Sequence, residues 1–376
     1  MNILQISFDK SFWDRNAPES TLQRQQEYLK VLKSYDNNAK IIIVVINTSH
    51  KKFEILNYDD LIIVPLNTTK IKFFYDFFIN LSNLIKEYDI NIISPQSIFE
   101  DGWLSLILAK YYKLQIVAQI HMDFLSKGYY DELGFVNKLR IAIAKKTLRY
   151  YDRIRVVSTK IKDKLIKYKL VEENKIFVNP VYVPIRELNY KKRPSSIKKI
   201  LFVGRFVYPK NIFLWLEVAS EVKKRFDSVE FILAGDGEDF EKAKEYAKKL
   251  KIYDSCKFLG SVSYENVAKL FYEADLLLLT SRYEGFGRVI VESYINKTPV
   301  VSTDVAGPSD IIIDGKTGFI CELEDKKCLV DKCLKLLKDE KLAQNFANNG
   351  YKYVKGKFNK EKLIKDWINI LVGEDK

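Results

Sequence analysis

The sequence predicts an α/β fold made of two Rossmann-like domains, each a doubly wound parallel sheet. A chain of 376 residues is longer than one ordinary hydrophobic core organises and suits two domains. Short apolar segments alternate with segments of helical period, which is typical of parallel sheets because parallel strands need crossover connections. Asp275–Leu279, DLLLL, has the continuous apolar composition of a strand buried on both faces.

The first half of the chain contains six apolar segments that are predicted as strands. They are 3–8, 41–46, 61–64, 90–94, 115–119 and 153–157. Helical patterns lie between them, such as Leu22–Leu32 and Phe73–Glu87. Ligands of such sheets bind beyond the carboxyl ends of the strands, so the loops after strands are the places to look for functional side chains.

The composition is that of a soluble globular protein, with 47% apolar and 30% charged residues. No apolar run approaches the ~20 residues that a membrane span requires. The first residues, MNILQISFDK, enter a strand directly and lack the shape of a signal peptide. We therefore expect a cytoplasmic protein.

The cysteine spacing suits neither a zinc site nor a redox pair. Cys256, Cys321, Cys328 and Cys333 are expected to be free, buried thiols in a reducing compartment.

The net charge of +13 indicates anionic partners. Nucleotide diphosphates, anionic lipids and nucleic acids are all anionic, so each is compatible with this positive net charge. The sequence has no zinc knuckle, no aromatic RNA-binding motif and no helix-turn-helix pattern, so nucleic acid is not expected.

Two loops in the first half carry candidate residues. The loop Asp9–Ser20 contains Trp13 and Arg15, which either face a binding cleft or belong to an ordinary surface loop. His121 ends the strand QIVAQIH, where a neutral imidazole can hydrogen-bond a hydroxyl or act as a base; the alternative is a structural histidine. His50 lies in a polar, lysine-rich turn and is predicted to be exposed.

The segment 137–169 is strongly basic, with twelve Lys and Arg residues against two Asp. A helical stripe of Leu139, Ile143, Thr147 and Tyr150 with cations around it suits the surface of an anionic membrane. The alternative is a helix that packs on its own sheet and has a solvated basic flank.

A strand followed by a glycine and two cations opens the second half, KILFVGRF at 199–206 and then VYPKN. Gly204 lets the backbone approach a ligand at the strand end, and Arg205 and Lys210 can reach the same anion. Fixed cations stabilise the charge that develops on a departing diphosphate. The alternative is two ordinary surface cations.

The stretch Thr280–Gly307 follows the strand DLLLL and reads as a glycine-containing turn, a helix from Arg288 and another strand. Gly285 and Gly287 let the backbone approach a ligand closely. The start of a helix at the end of a parallel strand binds anions, because its first N–H groups lack partners and its dipole is positive there. The amides around Phe286 are therefore candidates for holding a diphosphate.

Two carboxylates, Glu284 and Glu292, frame this helix start eight residues apart. Neither favours a phosphate beside it, but both accept hydrogen bonds from sugar hydroxyls. A diphosphate flanked by hydroxyl-rich rings is a nucleotide-sugar. The alternative is that both acids lie on a solvated surface.

The Glu-x7-Glu spacing and the wording SRYEGFGRVIVESYINKTPVVSTDVAG resemble the retaining family 4 glycosyltransferases, which have the two-domain GT-B fold. Gly204 to Lys210 resemble the G-R-x4-K element of that family. The resemblance implies that Arg205 and Lys210 neutralise the diphosphate, that Glu284 contacts the donor sugar and that Glu292 holds the ribose. It also implies that His121 contacts the transferred sugar or supports the reacting oxygens.

The resemblance implies a domain division as well. We expect an acceptor-side domain at 1–185, a nucleotide-sugar domain at 186–358 and a last helix at 359–376 that returns to the first domain across a central cleft. The linker is predicted at 179–196, which is rich in proline and polar residues. The loop Asp9–Ser20 departs from the family, because it has no glycine where paired glycines are common.

The predicted reaction is transfer of a sugar from a nucleotide-diphosphate donor to a hydroxyl of a glycan or lipid-linked acceptor, with retention of configuration. Retention without an evident nucleophile implies front-face attack, with the leaving phosphate helping to take the acceptor proton. There is no Asp-x-Asp motif, so neither a metal nor another cofactor is expected. Alternatives are a sugar-nucleotide epimerase or phosphorylase of the same fold, or a non-catalytic binder.

Overall fold

The chain folds into two compact units in the computed structural model, which describes residues 1–13, 20–126, 134–183 and 196–374. The first unit comprises Met1–Tyr182 and Lys360–Lys376, and the second comprises Val183–Asn359. Each unit contains one mainly parallel sheet with helices packed on it. Most of the predicted linker, 184–195, lies outside the described residues.

The sheet of the first unit contains all six predicted strands and two that were not predicted, β3 and β8. Its strands are β1 (Asn2–Ser7), β2 (Lys40–Asn47), β3 (Leu56–Tyr58), β4 (Leu61–Asn67), β5 (Ile92–Pro95), β6 (Gln115–Ile120), β7 (Arg153–Val156) and β8 (Ile176–Val178). Their order is β3-β4-β2-β1-β5-β6-β7-β8, and only the β3–β4 pair is antiparallel among these strands. Both new strands have only three residues, too few to show a periodic pattern.

Helices connect these strands as a parallel sheet requires. They are α1 (Ser20–Leu32), α2 (Phe73–Glu87), α3 (Glu100–Tyr112), α4 (Phe135–Thr147) and α5 (Thr159–Lys167). On α2, Phe77, Leu81, Leu84 and Ile85 are buried at helical spacing, so one apolar stripe fixes the helix on the sheet.

The sheet of the second unit has six strands in the described residues, in the order β11-β10-β9-β12-β13-β14. They are β9 (Lys198–Val203), β10 (Val229–Ala234), β11 (Cys256–Gly260), β12 (Leu276–Leu279), β13 (Val300–Thr303) and β14 (Gly318–Cys321). The helices are α6 (Ile212–Arg225), α7 (Phe240–Lys249), α8 (Tyr264–Glu273), α9 (Arg288–Ile295), α10 (Ala306–Ile311), α11 (Lys326–Lys338) and α12 (Glu340–Lys357). Every residue of β12 is buried, as its composition predicts.

The last helix, α13 (Lys360–Val372), belongs to the first unit, which confirms the predicted return of the chain. Ile364, Trp367 and Ile368 are part of the first unit's hydrophobic core. The side-chain amide of Asn179 donates to the carbonyl of Leu363 at 3.1 Å. Asn179, shortly before the chain leaves the first unit, is therefore hydrogen-bonded to the helix with which the chain returns to that unit.

The prediction of four free cysteines was wrong, because Cys321 and Cys328 form a disulfide. Cys321 ends β14 and Cys328 lies in the first turn of α11. The Asp325 side chain caps this helix by accepting from the backbone N–H of Cys328 at 2.9 Å. The chain reversal between strand and helix brings the two thiols together, and sequence spacing does not reveal such a reversal. Cys256 and Cys333 are free, as predicted, but only Cys333 is buried as expected, whereas Cys256 is half-buried.

Candidate functional site

Two neighbouring strands of the second sheet end beside each other and bring the two predicted motifs together. β9 and β12 pair in parallel, with Ile200 opposite Leu276. Beyond their carboxyl ends the loops are hydrogen-bonded: the N–H of Arg282 donates to the carbonyl of Pro209 at 2.8 Å. The hydroxyl of Thr280 donates to the carbonyl of Asn211 at 3.0 Å. Stretches about seventy residues apart in the chain thus form one surface.

A glycine-containing turn after β10 supports the loop after β9. Gly235 has a φ of +133°, and a β-carbon there would collide with the carbonyl oxygen of Gly204. A β-carbon on Gly237 would collide with the backbone of Phe206. The two glycines are required because two backbones pass in direct contact. The turn therefore fixes the position of the loop that carries Arg205.

Lys210 and Glu284 meet at the centre of this surface. The Lys210 ammonium group donates to the Glu284 carboxylate, and both side chains are mostly buried. The Lys210 side chain runs past Gly204, where a β-carbon would lie 3.7 Å from Cε. Three of the predicted site residues therefore lie in one cluster. Arg205, which directly follows Gly204 in the first motif, is exposed.

The turn from Gly285 to Gly287 leads the chain into α9. Gly287 adopts a φ of +87°, in the left-handed region that favours glycine, and it precedes the first helical residue. Phe286 is buried and packs edge-on against Phe358, with ring centroids 5.4 Å apart. No side chain in the described residues caps the start of α9, so its positive end is open to an anion.

Arg288 and Glu292 lie one turn apart on α9. Nη2 of Arg288 lies 3.8 Å from Oε1 of Glu292. Burial raises the pKa of Glu292 to about 6, and the cation of Arg288 opposes that rise. Nε of Arg288 is buried and finds no hydrogen-bond partner within the described ranges. The first turn of α9 therefore carries an unsatisfied donor beside a carboxyl group that is only weakly acidic.

Arg282 is a residue that the sequence analysis missed. Its guanidinium group lies 4.4 Å from the centroid of the Tyr208 ring, and Nη1 donates to the Tyr208 carbonyl at 3.3 Å. Nε lies 3.4 Å from a carboxylate oxygen of Glu324. In the sequence, the signal for Arg282 was a cation two residues before Glu284. Its partners Tyr208 and Glu324 are distant in the chain, so the sequence did not reveal these contacts. Arg282 holds the loop after β9 against the loop after β12.

His121 lies in the first unit, directly after β6, as predicted. Burial, together with the nearby cations of Arg155 and Arg24, lowers the pKa of His121 to about 3. The imidazole is therefore neutral at physiological pH and can donate one hydrogen bond and accept another. His50 is exposed, as predicted.

Two family models match this chain, one in each half. The family described as "Glycosyl transferases group 1" matches residues 187–353, and the family described as "Glycosyltransferase Family 4" matches residues 37–185. The chain belongs to the group 1 and family 4 glycosyltransferases. Together the two matches include every predicted site residue of this glycosyltransferase.

Curated relatives of this glycosyltransferase are also glycosyltransferases by name. An uncharacterised glycosyltransferase of Methanocaldococcus jannaschii is 27% identical over 88% of this chain and 85% of its own. The N-acetyl-alpha-D-glucosaminyl L-malate synthase of Bacillus anthracis is 31% identical over 54% of this chain and 55% of its own. The poly(ribitol-phosphate) alpha-N-acetylglucosaminyltransferase of Staphylococcus aureus is 30% identical over 48% of this chain and 37% of its own. The matches with the last two span about half or less of those relatives.

Solved structures establish the GT-B fold of this glycosyltransferase, which confirms the predicted fold class. Sucrose-phosphate synthase from Thermosynechococcus elongatus matches with a TM-score of 0.84 at 17% identity, over 100% of this chain and 99% of that one. The Anabaena protein HepE, in complex with UDP and glucose, matches with a TM-score of 0.74 at 16% identity over the full length of both chains. At these identities the likeness shows the fold alone.

In the glycine-free loop of this glycosyltransferase, Trp13 packs against its own unit. Its ring stacks on Phe53 with centroids 4.7 Å apart, and its Nε1 donates to the carbonyl of Glu54 at 2.8 Å. These contacts favour the surface-loop alternative for Trp13. Arg15 lies outside the described residues.

The basic segment 137–169 forms three elements, most of α4 followed by β7 and α5. Ile154 and Val156 of β7 and Ile161 and Leu165 of α5 are buried, as is Leu148 after α4, whereas Ile166 is half-buried. In the predicted stripe, Leu139 and Tyr150 are exposed, whereas Ile143 and Thr147 are half-buried. On α4 itself only Ala144 is buried, and the helix lies beside α3 with several apolar side chains exposed.

In the described parts of the chain, no helix combines the length and hydropathy needed to cross a membrane. No group of three or more His, Cys, Asp or Glu residues there is arranged to hold a metal ion.

Proposed function

We propose that this glycosyltransferase transfers a sugar from a nucleotide-diphosphate-sugar to a hydroxyl of a glycan or lipid-linked glycan, with retention of configuration. The observation that carries the proposal is the grouping of Lys210, Glu284 and the start of α9 at the carboxyl edge of β9 and β12. This grouping offers cations and open amides for a diphosphate, with carboxylates beside them for hydroxyls.

The diphosphate is held by Arg205, Lys210 and the amides of Gly285 to Arg288. The unsatisfied Nε of Arg288 supports an anion at this place, because a buried donor without a partner is costly. As the bond between sugar and phosphate breaks, negative charge grows on the diphosphate. Fixed cations and a helix start stabilise that charge without having to reorganise.

The hydroxyl groups of the donor are held by the two glutamates. Glu292 accepts from the ribose, and Glu284 accepts from the transferred sugar. When Lys210 turns towards a phosphate, it releases a Glu284 oxygen for a sugar hydroxyl. Before the donor binds, the ion pair holds the side chains of Lys210 and Glu284 near their binding positions. Such preorganised groups stabilise developing charge without a large rearrangement.

The acceptor hydroxyl attacks on the same face from which the diphosphate departs, so the configuration is retained. A diphosphate oxygen takes the proton of the acceptor as the new bond forms. His121 stays neutral and contributes a hydrogen bond to the transferred sugar, because an imidazole with a pKa of about 3 is a weak base.

We propose that the reaction needs no metal ion, because Arg205, Lys210 and the α9 start supply the positive charge that a cation otherwise brings. Activity should persist in EDTA. Complete loss of transfer that magnesium restores would contradict this part of the proposal.

Names of relatives support the substrate classes. HepE was solved with UDP-glucose, and a Campylobacter jejuni relative is named for a glycan on undecaprenyl diphosphate. A Streptococcus pneumoniae relative is an alpha-monoglucosyldiacylglycerol synthase, and a Staphylococcus aureus relative acts in capsular polysaccharide biosynthesis. We propose a role in cell-surface polysaccharide or lipopolysaccharide synthesis, in the cytoplasm at the inner face of the membrane.

A thermal-shift screen of nucleoside diphosphates and nucleotide-sugars tests the donor site, since a ligand that binds the native state raises the melting temperature. We expect at least one nucleoside diphosphate to stabilise the wild type and to lose this effect with Arg205→Ala. The stabilising donor is then incubated with glycan and lipid-linked acceptors, and products are separated by chromatography. An isomerised free nucleotide-sugar would indicate an epimerase, and binding without any product would indicate a binder.

A further inference from the structure

The helix whose start belongs to the proposed donor site, α9, packs against α12. The ring of Phe286, just before α9, contacts the ring of Phe358, just after α12, with centroids 5.4 Å apart. Near the other end of α9, a β-carbon on Gly350 of α12 would lie 2.4 Å from a ring carbon of Tyr294. The two helices are therefore antiparallel and contact each other near both ends of α9.

The turn before α9 is also held by the short helix α10. A β-carbon on Gly307, in the first turn of α10, would collide with the carbonyl oxygen of Phe286. The end of α12 is fixed to the same helix, because the Tyr353 hydroxyl and the Lys357 ammonium group donate to the Asp310 carbonyl at 3.2 and 2.8 Å. The turn and the end of α12 are thus held together by a third element.

The ring contact is the main apolar anchor of this turn. Phe286 and Phe358 are 5% and 4% exposed. Phe286 stands between Gly285 and Gly287, and a turn with two glycines has few backbone restraints of its own. The contact with Phe358 therefore restricts the position of the backbone amides that follow, at Gly287 and Arg288.

We infer that Phe358 is a positioning residue for the donor diphosphate, an inference that rests on the proposed function. It acts through Phe286, whose turn it holds so that the amides at the start of α9 point at one place. Groups that bind a reacting ligand have to be held to within about 0.5 Å. Loss of the Phe358 ring should therefore weaken donor binding without removing any group that contacts the donor.

A second ring pair on α12 provides a matched control. Phe346 packs edge-on against Phe319 of β14, with centroids 4.9 Å apart, and is 3% exposed. Both rings belong to the main hydrophobic core of the second unit. Phe346→Leu and Phe358→Leu remove the same atoms from equally buried positions, so they should lower the melting temperature by similar amounts. Only Phe358→Leu leaves the turn before α9 without its support.

Calorimetric titration with UDP, GDP and ADP tests the inference. For a nucleotide that binds wild type, we expect Kd to rise about tenfold or more in Phe358→Leu and less than about twofold in Phe346→Leu, because small misplacements of binding groups have large effects. Phe358→Met refills most of the lost volume and should recover part of the affinity. In transfer assays, Phe358→Leu should raise the KM of the donor and leave the KM of the acceptor unchanged. A general loss of stability does not separate the two KM values in this way.

Hydrogen–deuterium exchange of the ligand-free protein measures the turn directly. The amides of 285–288 should exchange faster in Phe358→Leu than in wild type. In Phe346→Leu their exchange should match that of wild type under the same folded conditions.

Two results would overturn the inference. One is a nucleotide affinity of Phe358→Leu equal to that of wild type. The other is an equal loss of affinity in both leucine variants, because the effect would then follow stability and not the turn. Wild type that binds none of the three nucleotides would instead contradict the proposed donor site, and the exchange rates at 285–288 would then decide whether Phe358 positions the turn. Failure of the inference is therefore distinguishable from failure of the proposed function.

Discussion

The ammonium group of Lys210 is paired with the carboxylate of Glu284, which links the turn after β9 to the turn after β12. The family resemblance implies that the two residues contact different parts of the donor, Lys210 the diphosphate and Glu284 the sugar. The structure shows that they hold each other in place. In the proposed site, the residue assigned to the phosphate is thus oriented by the residue assigned to the sugar hydroxyls.

Replacement of Lys210 should impair transfer more than it impairs folding. Lys210→Met should lower kcat/KM by about 10²–10³, the usual effect of losing one group that stabilises the developing charge. Lys210→Arg keeps the charge and should retain part of the activity. The measurement is the initial rate with the donor found in the thermal-shift screen.

The control for this prediction is Lys244→Met. Lys244 also forms an ion pair in the second unit, with Glu241, but on the surface of α7. Its replacement should leave kcat/KM unchanged. Equal losses of kcat/KM in Lys210→Met and Lys244→Met would contradict a role of Lys210 in the donor site.

Gly235→Ala should destabilise the second unit and abolish donor binding. The substitution introduces a β-carbon that collides with the carbonyl of Gly204, at a φ of +133°. We expect a loss of at least about 3 kcal/mol in the free energy of unfolding, because backbone strain and a steric collision act together. Denaturant titration measures this loss, and the nucleotide thermal shift reports on the loop that carries Arg205.

Gly356→Ala is the matched control. Gly356 lies in α12, and nothing stands within 4 Å of a β-carbon built there. Alanine is the better helix former, so the free energy of unfolding should rise by roughly 0.5–1 kcal/mol. If Gly356→Ala also lowered the free energy of unfolding, the steric collision would not explain the destabilisation expected for Gly235→Ala.

The titration of Glu292 should affect stability and donor binding in opposite directions. Its pKa is raised to about 6 in the folded state, so the folded chain binds this proton more tightly than the unfolded chain does. The contribution of Glu292 to stability is thus present below the ordinary carboxyl pKa and is lost as the pH rises through about 6. Its side chain is only 14% exposed, and the shift corresponds to about 2 kcal/mol.

The difference between wild type and Glu292→Gln isolates this group from the other acids. Relative to wild type, the variant should gain about 2 kcal/mol in unfolding free energy between pH 4 and pH 7. Donor affinity of the wild type should fall below pH 6, where Glu292, the carboxylate proposed to accept from the ribose, becomes protonated. If the unfolding free energies of wild type and Glu292→Gln differ by the same amount at every pH in this range, the raised pKa of Glu292 is contradicted.

Arg155 should be essential for the first unit. It is buried, its guanidinium lies 4.4 Å from the centroid of the Trp367 ring, and it donates to the carbonyls of Asn179 and Pro180 at 2.8 and 3.0 Å. Arg155→Met leaves those carbonyls without donors and should lower the unfolding free energy by about 3 kcal/mol. Differential scanning calorimetry measures the loss.

Arg149→Met is the control for Arg155, because Arg149 is exposed after α4 and should tolerate the change. Lysine at position 155 keeps the charge but cannot reproduce the fork of donors, so Arg155→Lys should also be destabilised. Stability equal to wild type in Arg155→Lys would show that charge alone matters at this position.

Local sequence patterns predicted much of the site. Gly204, Lys210, Glu284 and Gly287 follow apolar strands, and in parallel sheets the carboxyl ends of strands gather at one edge. The disulfide between Cys321 and Cys328 was not predictable in the same way. It depends on how the chain reverses between β14 and α11, which no short-range pattern encodes.

The sequence by itself determined the longer strands and helices, because burial on two faces or on one stripe leaves a periodic pattern in the order of residues, whereas the three-residue strands β3 and β8 are too short to leave one. It also determined the two motifs and hence the family. Only the tertiary structure decided that Lys210 pairs with Glu284 and that Arg282 lies on Tyr208. Such relations join residues that are distant in the chain, and they are fixed by packing, which has no signature in local sequence.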